Sequence, residues 1–153
     1  MSKDLSFIAG GEELLAEIGT LWEALNKHHT ARAPHFADVF AANTYGKRVQ
    51  SILAHAALGL RVIVAVTDEG EQAGYCISTV NDRRVGEIDS LYVLPQFRRA
   101  KLGEALLQRS IEWLNSQEVS RIFLEVAAGN EEVYGFYEKF GFYPAKTVLE
   151  QKR

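Results

Sequence analysis

The chain has 153 residues, 47% of them hydrophobic and 24% charged, with a formal net charge of −3. That is the size and balance of one globular domain spanning residues 1–153, and it argues against a disordered, fibrous or dedicated nucleic-acid-binding protein. A single cysteine, Cys76, excludes an internal disulfide and a Cys-rich metal site, and without a signal core or about 20 consecutive apolar residues the expected location is the cytoplasm, away from membranes.

In chain order, residues 5–9 read as a first strand closed by Gly10-Gly11. Leu14, Leu15, Ile18, Leu21, Trp22 and Leu25 then recur at helical spacing and predict one helix from Glu12 that frays near 26–29. Residues 31–36, with Pro34, form a connection, and 36–55 is helical again with a break at 43–46. The period changes at 61–67, a run rich in β-branched residues, followed by a turn at 68–70 and a returning strand at 72–80. Residues 85–94 complete a three-stranded meander that Pro95 ends. A basic connection, 98–103, enters a helix whose Leu102, Leu106, Ser110, Ile111 and Leu114 share one face. Alternating apolar residues predict a strand over 120–127, a short helix over 131–140 with Gly141 as its C-cap glycine, and a last strand over 142–150 interrupted by Pro144. The order βααβββαβαβ is a mixed α/β sandwich.

The chemistry concentrates where a strand, a basic loop and a helix meet. Arg98, Arg99 and Lys101 stand just before a helix start, where unpaired N–H groups and the positive dipole end already favour an anion, and Gly103 allows a close approach. Read alone, the cluster serves equally as a solvated charge run. No Gly-Lys-Ser/Thr or glycine triplet is present, so neither a Walker loop nor a Rossmann fingerprint applies.

Residues 85–107 (VGEIDSLYVLPQFRRAKLGEALL) and 130–142 (NEEVYGFYEKFGF) resemble the GCN5-related N-acetyltransferase (GNAT) superfamily. The loop pattern Arg/Gln-x-x-Gly-x-Gly/Ala reads Arg98-Arg99-Ala100-Lys101-Leu102-Gly103, and Asn130 is followed seven residues later by Tyr137, then by Gly-Phe. The resemblance implies a GNAT-type mixed, mostly antiparallel central sheet flanked by helices. It also implies acetyl-CoA as cosubstrate and direct transfer of its acetyl group to a primary amine of a small molecule. A protein or peptide acceptor, or a non-catalytic acyl-CoA-binding regulatory domain on the same fold, stays open beside it.

By the same resemblance, backbone N–H groups of Arg99, Ala100, Lys101, Gly103 and Glu104 face the pyrophosphate, in the stretch that includes Arg98 and Leu102. Leu91, Tyr92 and Val93 run beside the pantetheine arm, Leu91 and Val93 pairing with it and Tyr92 turned to the packing face. Lys101 replaces the loop's first glycine; a lysine costs nothing if it already lies in the first helical turn, which is the expected position. Tyr137 is the expected general acid, a phenol still protonated at neutral pH. As a residue on an amphipathic helix it also reads as packing. Asn130 holds the arm or caps the short helix. Glu87, then Asp89, are the candidate bases, two apart on one strand face; each also reads as a solvent-facing or ion-paired carboxylate.

All four histidines lie in the N-terminal helical region. His28, His29, His35 and Arg32 are the candidate acceptor-binding residues. The spacing matches no zinc ligand set, so no metal is expected. Lys27, Arg32, Lys47 and Arg48 outnumber Glu23 and Asp38 over residues 19–50, which points to an acceptor with an anionic group. A homodimer is the one assembly admitted.

Overall fold

The structure, a computed structural model, describes residues 4–153; residues 1–3 of the expected domain and the side chain of Arg99 lie outside the described residues. The strands are β1 (Leu5–Gly10), β2 (Gly59–Thr67), β3 (Gln72–Val80), β4 (Val85–Val93) and β5 (Arg121–Leu124). The helices are α1 (Glu12–Leu15), α2 (Gly19–Arg32), α3 (Ala37–Ala42), α4 (Tyr45–His55), α5 (Leu102–Ser116) and α6 (Tyr134–Glu138). The five strands form one sheet in sequence order, antiparallel throughout except for the parallel pair β4–β5. The mixed, mostly antiparallel sheet flanked by helices is thus the observed architecture.

Strand alternation divides the core into two layers. Val62, Val64, Tyr75, Ile77 and Tyr92 point to the side covered by Leu14, Leu15, Ile18, Leu21 and Trp22 of the first helices and by Ile52 of α4. Ile63, Ala65, Cys76, Ile88 and Val93 point to the other, covered by Leu102, Leu106, Leu107 and Leu114 of α5. Cys76 is fully buried, and burial pushes its thiol up to about 12, so it is an inert core residue.

Four sequence expectations change. The helix expected to run unbroken from Glu12 divides between Leu15 and Gly19, and its second part runs on to Arg32 without fraying at 26–29. Tertiary contacts hold that end: the Asn26 side chain donates to the Phe40 carbonyl at 2.7 Å, and the His29 and Phe40 rings lie 5.6 Å apart. The strand expected over 120–127 stops at Leu124. The last strand expected over 142–150 is absent: Phe142 folds back on Tyr137, with ring centroids 6.1 Å apart, and the chain beyond it is exposed, Val148 by 80% and Leu149 by 91%. Pro144 offers no N–H to a ladder, and neither Val148 nor Leu149 meets a core face.

The fourth concerns Lys101. A 3₁₀ turn, Pro95–Ala100, precedes it, and Lys101 links that turn to α5 with φ at +55°. It therefore occupies the left-handed region and not the first helical turn, which costs a lysine about 1 kcal/mol that a glycine escapes.

Gly129 shows the opposite case. Its φ is +98°, and an added Cβ would overlap the backbone oxygen of Arg32 at the end of α2. Lys101→Gly is expected to raise Tm by roughly 2–4 °C, as about 1 kcal/mol does in a domain of this size. Gly129→Ala should lower it by more than that, the penalty combining strain with a backbone clash. Thermal unfolding of both variants checks the pair; an unchanged Tm in Gly129→Ala would remove the clash from consideration.

Candidate active site

The parallel pairing of β4 with β5 runs from Val85↔Arg121 to Ile88↔Leu124 and then ends. Beyond it the two chains separate, and a cleft of about 390 Å³ opens between them. Ser90 and Leu91 line one side and Val126 and Ala127 the other, with Tyr137 at the α6 end and α2, α3 and α4 closing the remaining side. On its β5 side, β4 has no strand partner past Ile88, which leaves an edge that an extended amide-bearing chain can join.

A bulge gives the cleft its carboxylates. Ile77 pairs with Ser90 and Ser78 with Ile88, so Asp89 is the extra residue on β4. Its fully buried carboxylate accepts from Thr79 Oγ1 at 2.7 Å and meets His55 Nε2 at 2.5 Å. Arg48 Nη2 donates to the Asp89 backbone oxygen at 2.7 Å. Glu87, 18% exposed, lies 3.8 Å from His55 Nε2. Burial raises the Glu87 carboxyl to about 7, helped by the charges of Asp89 and Glu125 and opposed by His55 and Arg48. Burial also raises Asp89, against its hydrogen bonds to Thr79 and His55. A carboxylate that titrates near neutrality suits general-base work.

His55, Glu87 and Asp89 also bring three cation-binding atoms within 4.8 Å of one another, an assembly that sequence spacing did not reveal. Two of those atoms, His55 Nε2 and Asp89 Oδ1, are already spent on each other. Glu87 stands 3.8 Å from the same His55 nitrogen, beyond hydrogen-bond distance.

Tyr137 lines the cleft, and burial raises its phenol above the ordinary tyrosine range. It stays protonated at neutral pH, and among the described residues none hydrogen-bonds its hydroxyl. Asn130 also lines the cleft; its side chain does not cap the short turn that follows but meets His28 Nε2 at 3.3 Å.

The basic loop is arranged differently from a free cation cluster. Arg98 folds back, its Nε donating to the Val93 carbonyl at 3.0 Å and its guanidinium lying 5.6 Å from the Tyr92 ring centre. Tyr92 and Val93 are buried, as is Leu102, and Tyr92 packs in the core layer under α2. Ala100 and Lys101 are exposed. The α5 helix opens at Leu102, Gly103 and Glu104 with no capping side chain, so its first N–H groups are available to an anion. Glu104 is tied to Lys139 at 3.2 Å. A Cβ on Gly103 would make only an ordinary 3.5 Å contact with Phe136. Internal packing thus does not demand glycine there, and the helix start and open β4 edge fit an anionic cosubstrate with an extended arm.

Of the acceptor-side candidates, His29 lines the cleft, whereas His28, Arg32 and His35 do not. Arg32 pairs with Glu132 at 3.0 Å and donates to the Gly129 carbonyl at 3.1 Å. The sequence counts Arg48 only within a cationic stretch, gives His55 and Thr79 no site role, and marks Trp22, Leu25 and Phe40 only as helix-face residues. They converge because α2 packs against β4, α3 packs on α2, and α4 reaches Asp89 of β4 through Arg48 and His55, relations that no local periodicity records.

The family model described as "Acetyltransferase (GNAT) family" matches residues 22–142. A [ribosomal protein bS18]-alanine N-acetyltransferase of Escherichia coli (strain K12) is 33% identical over 78 residues, which are 50% of this chain and 51% of that protein. The chain's match thus spans about half the length of this curated relative. Among solved structures, the BH1408 protein from Bacillus halodurans, as a tetramutant, superposes with a TM-score of 0.75 at 19% identity, covering 97% of this chain and 99% of that one. The aminoglycoside N-acetyltransferase AAC(6')-Iy in complex with CoA gives 0.70 at 16%, covering 100% and 97%. At these identities the two structures establish the fold.

A reaction that used ionised Glu87 as its base would rise in rate with pH through about 7, where that carboxyl titrates. Asp89→Asn removes a neighbouring negative charge and should move that limb about one pH unit lower. The pH dependence of kcat/KM for both proteins is the measurement; a limb that stays in place would remove Asp89 as the neighbour that tunes Glu87.

Proposed function

The chain belongs to the acetyltransferase (GNAT) family, and from that membership we propose that it moves the acetyl group of acetyl-CoA directly to a primary amine of a small molecule. The observation that carries this reading is a free tyrosine hydroxyl and a carboxylate titrating near 7 on the walls of one cleft, at the point where β4 and β5 part.

In this reading the N–H groups at the start of α5 hold the pyrophosphate, with Ala100, Lys101, Gly103 and Glu104 supplying backbone and Arg99 its backbone beside them. The open edge of β4 at Leu91 and Val93 pairs with the pantetheine arm, and a backbone N–H near Val93 polarises the thioester carbonyl. Arg98 acts indirectly, fixing the end of β4 through the Val93 carbonyl. Asn130, held by His28, borders the arm.

Glu87 takes a proton from the ammonium form of the acceptor. The freed nitrogen lone pair forms a bond to the carbonyl carbon, and the carbon–sulfur bond breaks with its electrons going to sulfur. Tyr137 gives its proton to that thiolate, whose protonated form is the product. Glu87 releases that first proton to solvent, and the second, lost by the nitrogen once it is bonded to carbon, restores the Tyr137 phenolate to the phenol, so one proton leaves per turnover. Holding both partners in one cleft supplies the orientation that a direct transfer needs.

A peptide acceptor is the second reading, favoured by the similarity to an enzyme named for a ribosomal-protein alanine. The cleft's volume of about 390 Å³ is that of a small-molecule site and supports the small-molecule reading over it.

Tyr137→Phe keeps the ring packing and removes the proton. It should lower kcat about 10²-fold or more while leaving the KM for acetyl-CoA near its wild-type value. Steady-state kinetics with an accepted amine decide this, and unchanged turnover would remove Tyr137 as the acid.

A further inference from the structure

The acceptor half of the cleft carries its own chemical signature. Trp22 and Leu25 from α2 and Phe40 from α3 make an apolar wall. His29 stands beside Phe40, and burial holds its proton affinity below the ordinary value, so at neutral pH it adds an aromatic face without a charge. The sheet side brings two carboxylates, Glu87 and Glu125, next to Asp89, whose buried carboxylate is already bonded to His55 and Thr79. Among the described lining residues the only lysine or arginine is Arg48, and its Nη2 is committed to the Asp89 carbonyl. Of the four cations that suggested an anionic acceptor, Arg48 lines the cleft, whereas Lys27, Arg32 and Lys47 do not, and Arg32 is paired with Glu132.

We propose that the acceptor is a primary amine borne on an aromatic or similarly flat apolar body with no carboxylate or phosphate. The proposal rests on the acetyl-transfer reading above and specifies its substrate. An ammonium entering this cleft meets carboxylates at the end where Glu87 waits, and its apolar body exchanges water for Trp22, Leu25 and Phe40. An acid group on the same molecule would lie among like charges, with Arg48 the one described lining cation and its Nη2 held at the Asp89 carbonyl, and like-charge juxtaposition is among the stronger means of rejection. A polyamine would satisfy the carboxylates but leave the apolar wall uncovered.

Matched pairs that differ by one carboxylate isolate the claim: tryptamine against tryptophan, and 2-phenylethylamine against phenylalanine, with spermidine alongside. With the full chain and acetyl-CoA, kcat/KM is expected to be at least about 100-fold higher for each amine than for its amino acid, and spermidine should trail both amines. Phe40→Ala should raise the KM for tryptamine about tenfold without moving the KM for acetyl-CoA, and Phe40→Leu, which keeps most of the apolar surface, should do so less. Equal or better turnover of the amino acids, or spermidine as the best acceptor, would overturn the proposal. Calorimetric titration of tryptamine and tryptophan onto protein saturated with coenzyme A separates the two readings. Binding of tryptamine alone, without turnover, keeps the acceptor site and removes the transferase, whereas binding of neither overturns the site.

Discussion

The short parallel seam between β4 and β5 is the constraint on which the rest of this molecule depends. Pairing ends after Ile88 and Leu124, and the strands part where each would otherwise complete the other's hydrogen bonds. An edge of this kind in mid-sheet is costly to leave dry. It persists because the flanking layers are anchored elsewhere: α5 covers one face through Leu102, Leu106, Leu107 and Leu114, and α1, α2 and α4 cover the other. The gap is thus held open by the packing on either side of it. Tyr137, Asn130 and the carboxylates of β4 share one space as a result.

Electrostatics reinforce that geometry. The bulge at Asp89 drives a carboxylate out of water, which is unfavourable unless it is hydrogen-bonded, and Thr79 and His55 provide the bonds. Arg48 compensates the same residue from its backbone side. With Asp89 fixed, Glu87 sits half-buried between an anion and a histidine, and its burial, more than the balance of those neighbours, places its titration close to neutrality. The formal net charge of −3 says little about this. What matters is that acids gather on the sheet side of the cleft while an uncapped helix start, which favours anions, stands beyond Val93.

Much of the fold was legible in the sequence because its strands and α5 carry clean periods. The meander of β2, β3 and β4 and the polar/apolar division of α5 follow from alternation and from 3.6-residue spacing. Where the periodic reading overran, the reason is physical. Val126 continues the alternation of β5, but its neighbour is the cleft, so the strand ends at Leu124. Val148 and Leu149 carry strand-like composition without a face to bury it. Glu87, Asp89, Asn130 and Tyr137 were legible as candidates through motif spacing, and the structure brings them to one cleft. His55 was not, because its meeting with Asp89 joins α4 to β4 across 34 positions, a relation that only tertiary packing creates. Lys101 was misread for a different reason: residue type alone does not report φ.

One further feature links the two halves of the cleft. The end of α2 is clasped to the segment around Gly129 by three contacts: Arg32 to Glu132, Arg32 to the Gly129 carbonyl, and His28 to Asn130. A glycine is required where the two backbones touch. The helix that bears Trp22 and His29 is therefore mechanically joined to the loop that leads into Tyr137. By thermodynamic reciprocity, whatever coenzyme binding did to amine affinity along this connection, amine binding would do equally to coenzyme affinity.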